Sequence, residues 1–362
     1  MHQQATPPRP ERLAGLPRWA QWALLAVGSA VLAGLLEMAG LPAALLVGPM
    51  LAAIAAGVNG ATVRPPRAAV IAAQAVVGCL IARAIEPQIF ASFLAEWPLF
   101  LAMVFVTLAA SSLLGYLMSR WKVLPGTTAV WGSSPGGASA MVLMADAFGA
   151  DTRLVAFMQY LRVIFVSITA AVIAGLWVDT SGIKPPPIDW FPPIDWTAFG
   201  ATIVVGAVGV AIARPIRLPA GTFLGPMLLG TALHLGGHVT LQLPPWLLAM
   251  SYAVIGWWIG LNFTRSILLH AARALPQIVA SIVALIIFCA AAGFAMSRML
   301  GIDPLTAYLA TSPGGMDSVA IIAAASNKVD LSFVMALQLA RFVMVLLVGP
   351  PLARLLAGRV GT

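Results

Sequence analysis

Thr128–Gly137 reads TAVWGSSPGG, and Thr306–Gly315 reads TAYLATSPGG. Each decapeptide lies within a long apolar run and interrupts it in the same way. Proline removes a backbone donor, and its ring clashes with the preceding turn. The two glycines that follow admit left-handed backbone angles. Each run is therefore expected to form two half-helices around an irregular tip. Irregular backbone at membrane depth persists only where protein or a wet cavity covers it. A pair of such tips therefore points to a shared interior site.

The decapeptides belong to a duplication. Leu41–Leu51 (LPAALLVGPML) and Leu218–Leu228 (LPAGTFLGPML) agree at seven of eleven positions, at an offset of 177. Val76-Val77-Gly78 matches Val254-Ile255-Gly256 at 178, and Gln159…Arg162 matches Gln338…Arg341 at 179. Four blocks at one near-constant offset mark two copies of a single unit.

Composition sets the class of protein. Of 362 residues, 60% are hydrophobic and 9% charged. Soluble domains carry about 25% charged residues, so this chain could not cover its surface in water. Its apolar runs are continuous, unlike the ten-residue alternation of a barrel. They fall at about 19–39, 41–58, 68–85, 97–118, 124–148 and 152–178, then 197–213, 218–236, 246–264, 275–297, 304–326 and 331–357. The fold class is an all-α polytopic membrane protein. Residues 1–18 form a cytoplasmic tail, 19–178 the first repeat, 179–196 an extracytoplasmic linker and 197–362 the second repeat. The first span is too long for a signal peptide and is retained. Cys79 and Cys289 lie inside apolar runs as core residues.

Basic residues orient the halves. If all twelve segments cross, the cytoplasmic side holds 11 Lys/Arg and the other side 7. If the two SPGG segments return to the side they left, each half crosses five times and the halves are inverted. The split then becomes 14 to 4, which fits the positive-inside rule much better. The expected architecture is thus two inverted repeats, each of about five transmembrane helices plus one broken re-entrant hairpin. Both termini are expected to face the cytoplasm, and a bacterial inner membrane is the expected location. Ten residues from Leu124 to Ser133, as helix, rise about 15 Å, half of a hydrocarbon core. Both tips are therefore expected near the midplane, beside each other.

Several residues could bind a solute there. A half-helix beginning after Gly137 or Gly315 offers free N–H groups and a positive dipole end, which suit an anion. Ser134, Gly136 and Ser139 accompany the first tip, and Ser312 and Gly314 the second, with Ser318 just beyond. Gln159 with Arg162, and Gln338 with Arg341, each share a helix face. An arginine deep in an apolar segment marks function by default. It can hold an anion bidentately or pair with Asp146 or Asp317 on the preceding segment. Asp317 replaces Ser139 in the repeat, so it and Asp146 are the candidates for coupling to H+ or Na+. Glu37 reads as interfacial. Gly48-Pro49 and Gly225-Pro226 read as kinks with close packing. His234 and His238 are four residues apart without a third ligand, so no metal or other cofactor is expected.

These motifs resemble those of AbrB-type membrane proteins, which carry the AbrB duplication domain. The resemblance covers nearly the whole chain after residue 19. Members are labelled either as regulators of gene expression or as ammonia monooxygenases. The inverted, hairpin-bearing arrangement is similar in architecture to elevator-type secondary transporters of carboxylates, glutamate and bile acids. The resemblance implies a transporter of a small anionic solute, or a membrane regulator or sensor. A monooxygenase is the weakest reading, because no metal or nucleophile constellation stands in the sequence, and a non-enzyme is expected. The partners expected are the bilayer, a small solute and H+ or Na+. No direct contact with nucleic acid is expected, and a homo-oligomer stays open.

Overall fold

The computed structural model describes residues 13–39, 43–85, 97–121, 123–124, 127–136, 138–177, 189–216, 218, 220–314 and 329–360. Among these residues the chain is entirely helical. The first half contributes α1 (Arg18–Met38), α2 (Ala44–Val58), α3 (Arg67–Ala84), α4 (Trp97–Arg120), α5 (Thr128–Ser133), α6 (Ala138–Ala147) and α7 (Thr152–Trp177). The second contributes α8 (Trp196–Ala213), α9 (Gly221–Leu235), α10 (Pro245–Gly260), α11 (Arg265–Leu300), α12 (Pro304–Thr311) and α13 (Leu331–Val360). Seven helices are long and apolar enough to cross a bilayer: α1, α3, α4, α7, α8, α11 and α13.

The surface is apolar, as a bilayer demands. On α1, Gln21, Leu25, Ser29 and Ala33 are buried at four-residue spacing, while Leu24, Val27, Val31 and Leu35 face outward. Polar groups turn inward, where partners exist. The Trp257 indole N–H donates to Ser29 Oγ at 2.9 Å, tying α10 to α1.

The halves exchange partners. Helix α2 packs on α10, and α9 on α3; α4 packs on α13, and α11 on α7. Within each half the pairs repeat: α1 with α2 and α8 with α9, α4 with α5 and α11 with α12. Two helical groups result, α1–α3 with α8–α10 and α4–α7 with α11–α13. They meet on a core that combines Leu46, Val77, Phe223 and Ile255 from the first with Trp131, Met141, Tyr160 and Leu339 from the second.

The crossings of α3 with α9 and of α10 with α2 depend on glycine. A Cβ at Gly78 would lie 2.5 Å from the Phe223 carbonyl oxygen, and one at Gly256 2.9 Å from the Leu46 oxygen. Both glycines press against the turn holding the internal proline, Pro226 or Pro49. The Gly-Pro blocks thus serve close packing, as their sequence suggests. Just before them, Ala43 and Ala220 cap α2 and α9 with φ of 56° and 49°. A left-handed alanine is strained by roughly 1–2 kcal/mol, and here the strain is duplicated.

Two expectations are corrected. Residues 265–274, expected as a loop, are the first turns of α11, which runs on through Pro276. Thr264 caps it by accepting from the Ile267 N–H. The first arm of the SPGG hairpin is also shorter than ten residues. α5 has six residues and α12 eight, rising about 9 and 12 Å. The first arm begins only at Thr128, after the Thr127 cap.

Candidate functional site

The broken segments close on themselves. Thr128 Oγ1, at the start of α5, accepts from the Asp151 N–H at 3.2 Å, just before α7. Thr306 Oγ1 accepts from the Asp330 N–H, also at 3.2 Å. Residues 23 or 24 positions apart thus meet on either side of each broken segment. Aspartate caps complete both bases. Asp151 Oδ1 accepts from the Arg153 N–H and Asp330 Oδ1 from the Phe333 N–H. Arg153 also forms an ion pair with Asp151 at 2.8 Å. Burial opposes ionisation of Asp151, but Arg153 and the helix N–H groups outweigh it and hold the carboxyl below its ordinary value.

At the other end lie the tips. A helix that stops leaves its last carbonyls without hydrogen-bond donors, and in an apolar interior each orphan is costly. Gln159 and Arg162 answer this for α5. The Gln159 amide donates to the Trp131 and Ser134 carbonyls at 2.8 and 3.0 Å. Arg162 donates to the Ser134 and Gly136 carbonyls at 2.8 and 3.2 Å, and to Gln159 Oε1 at 2.7 Å. The second half repeats the glutamine contacts position for position, while its arginine reaches one residue earlier in the tip. Gln338 donates to the Leu309 and Ser312 carbonyls at 2.8 and 3.1 Å, and Arg341 to the Thr311 carbonyl at 3.1 Å. Arg341 also donates to Gln338 Oε1. The guanidinium charge sits at the negative end of the broken helix, where the macrodipole favours it.

Both arginines are buried, at 1% and 3% exposure. Helix α7 touches α12, and α13 touches α5, so each clamp helix borders the opposite tip. Among the described residues, Nε of both arginines, Nε1 of Trp131 and the hydroxyls of Tyr160 and Tyr308 are buried without a hydrogen-bond partner. Arg162 also lines a small cavity with Gly132, Ser133, Met158 and Ser281. At about 10 Å3 it holds roughly one water.

The chain belongs to the AbrB family. Residues 45–357 match the family described as "Transition state regulatory protein AbrB". The chain is 47% identical over 338 residues to "Putative regulator AbrB" of Escherichia coli (strain K12), covering 93% of this chain and 97% of that one. It is 29% identical over 273 residues to "Uncharacterized protein YhjN" of Bacillus subtilis (strain 168), covering 70% of each.

The remaining sequence candidates divide. In this AbrB-family chain Ser134, Gly136, Ser312 and Gly314 are all buried at the tips, and Ser139 is half-buried at the start of α6. The serine hydroxyl protons turn back on their own helices, to the Val130 and Leu309 carbonyls, and so are not offered outward. Asp146 does not pair with Arg162. It is exposed at the end of α6, and Arg153–Asp151 is the one ion pair among the described residues. Gly137, Gly315, Asp317 and Ser318 lie outside the described residues. Glu37 is exposed near the end of α1. The His234 ring nitrogen lies 3.2 Å from the Val239 carbonyl in the following turn. Cys79 and Cys289 are free thiols in the core. Thr128, Thr306, Asp151 and Asp330 went unassigned in the sequence reading. The matched Thr-Ala dipeptides were visible, but their role depends on a residue more than twenty positions away.

Proposed function

We propose that this AbrB-family protein is a secondary transporter of a small anionic solute, with its site where the two SPGG tips meet. The observation that carries the reading is the pair of buried arginines. Each sits on a helix that borders the opposite tip, and Nε of each is left without a hydrogen-bond partner among the described residues. A buried guanidinium with an unserved donor is unfavourable, and an anion at the tips would serve both arginines. Paired broken helices at a repeat junction are the form such sites take. The first-turn N–H groups of α6 lie beyond the first tip and add to the positive field. Ser134, Gly136, Gly137, Ser139, Gln159, Arg162 and their counterparts Ser312, Gly314, Gly315, Gln338 and Arg341 make up this site. Asp317 supplies the coupling group for H+ or Na+, with Asp146 as the second candidate.

The closed hairpin bases support an inverted arrangement. Each half then crosses five times, and the halves enter from opposite faces. Arginine-rich loops and both termini face the cytoplasm, in a bacterial inner membrane. The test is uptake of labelled acetate, pyruvate, succinate and citrate by proteoliposomes under an imposed proton or Na+ gradient. At least one is expected to accumulate above protein-free liposomes, and Arg162→Gln and Arg341→Gln should abolish it. No accumulation of any of the four refutes the reading.

A second reading is favoured by the printed names of the family and of the Escherichia coli relative: a membrane regulator in which solute binding acts through a partner. Saturable binding of one of the four anions without flux is its expected signature.

A further inference from the structure

A duplicated chain has two equivalent junctions between its halves, and here they differ in one respect. At the junction of α3 with α9 lies a cavity of about 330 Å3. It is lined by Arg67, Gln74, Asp146, Thr222 and Trp258, with Val70 and Ile71 on its apolar side. The repeat offsets carry Arg67, Gln74, Thr222 and Trp258 to Pro245, Tyr252, Leu45 and Leu80, and Asp146 to Ala324. Both formal charges and most of the polarity of this junction therefore belong to one copy alone. Packing of the duplicated fold does not require them.

The charges are also unspent. Arg67 and Asp146 both face the cavity, both are exposed, and they form no ion pair with each other. Deeper in, Gln74 and Thr222 are hydrogen-bonded to each other across the two halves. We propose that this cavity binds a small zwitterion of the α-amino-acid type, its carboxylate on Arg67 and its ammonium between Asp146 and the Trp258 ring. A simple anion would gain Arg67 but be repelled by Asp146, and a simple cation the reverse. Only a ligand with both charges satisfies both groups. An indole face adds attraction for an ammonium group. Val70 and Ile71 select a short apolar side chain. The cavity volume lies at the lower end of the range for small-molecule sites, about 300–1,000 Å3. This site lies away from the tips and does not depend on the transport reading; it takes Asp146 as a ligand-binding group, which leaves Asp317 as the coupling candidate there.

The test uses the full chain in nanodiscs, with L-leucine as the probe. Its two half-molecules, 4-methylpentanoate without the amine and 3-methylbutylamine without the carboxylate, are the controls. Leucine is expected to bind saturably, and each half-molecule at least tenfold more weakly. Arg67→Gln and Asp146→Asn should each weaken leucine at least tenfold, while Arg67→Lys retains part of the affinity. As a second measurement, Thr222→Cys in a Cys79→Ala/Cys289→Ala background should react with maleimide, and leucine should slow the reaction. No saturable binding of leucine, alanine, valine or methionine overturns the proposal. So does leucine binding undiminished in both charge variants, or half-molecules that bind as well as leucine. Loss of leucine binding in Arg162→Gln, with Arg67→Gln unaffected, would place the ligand at the tips and also overturn it. Failure of carboxylate uptake leaves this result untouched.

Discussion

Gln159 shows how a single side chain is committed. Its amide serves two carbonyls that no helix turn can reach, and its oxygen accepts from Arg162. Gln159→Leu keeps the bulk but orphans the Trp131 carbonyl and removes an acceptor from a buried cation. An unsatisfied buried group costs about 1–3 kcal/mol, so a loss of about 3 kcal/mol is expected in detergent unfolding, and nearly the same for Gln338→Leu. A loss below about 0.5 kcal/mol in both would remove the clamp. Asp151 offers a test by pH. Its carboxyl is held below the ordinary value, so it contributes stability above the unfolded pKa of about 3.9. That contribution is lost as pH falls through the folded pKa. Asparagine caps a helix nearly as well as aspartate. Asp151→Asn should therefore melt below the wild type at neutral pH, and the gap should close as pH falls below the ordinary carboxylate range. A constant gap would mean that the charge is not what matters. Gln-x-x-Arg was legible as a shared helix face. That it holds backbone, rather than Asp146, was not, because a carbonyl has no letter in a sequence.

At the level of elements, two crossings set the scaffold. Gly78→Val and Gly256→Val each place side-chain atoms against a neighbouring helix backbone that a kinking proline already constrains. Both are expected to cost more than about 3 kcal/mol, in line with severe overpacking, and to lower the yield of folded protein. Ala220→Gly works the other way, since it relieves a left-handed alanine at the cost of one methyl group that packs against the edge of the core. A rise in melting temperature of a few degrees is expected, and a fall would mean that the methyl group packs better than the strain costs. Helix existence was largely legible here, because apolar runs of this length permit little else. The extents of α5 and α11 were not. The Thr127 cap starts one late, and the Thr264 cap starts the other ten residues early. Both are local backbone effects that hydropathy averages over.

Across the whole molecule, the duplication was plain in the sequence, while the exchange of partners between halves was not. Four matched blocks reveal two copies but not which copy packs on which. The linker tests the orientation proposed above. Phe191 is 81% exposed, and Phe191→Cys in a background lacking Cys79 and Cys289 should react with an impermeant maleimide in intact cells. Labelling only after lysis would reverse the orientation.

Exchange of partners also has a consequence for how the chain is made. Ribosomes deliver α2 and α3 to the membrane long before α9 and α10 exist. The groove at Gly78 therefore waits open, with its complement still unsynthesised. During that interval the first half is an unfinished molecule whose natural complement is a unit much like itself. A gene cut within the linker and expressed as two fragments should still yield one assembled protein, recoverable by a tag on either piece. The same geometry describes an ancestor encoded once and assembled twice, in which each copy lent its second and third helices to the other.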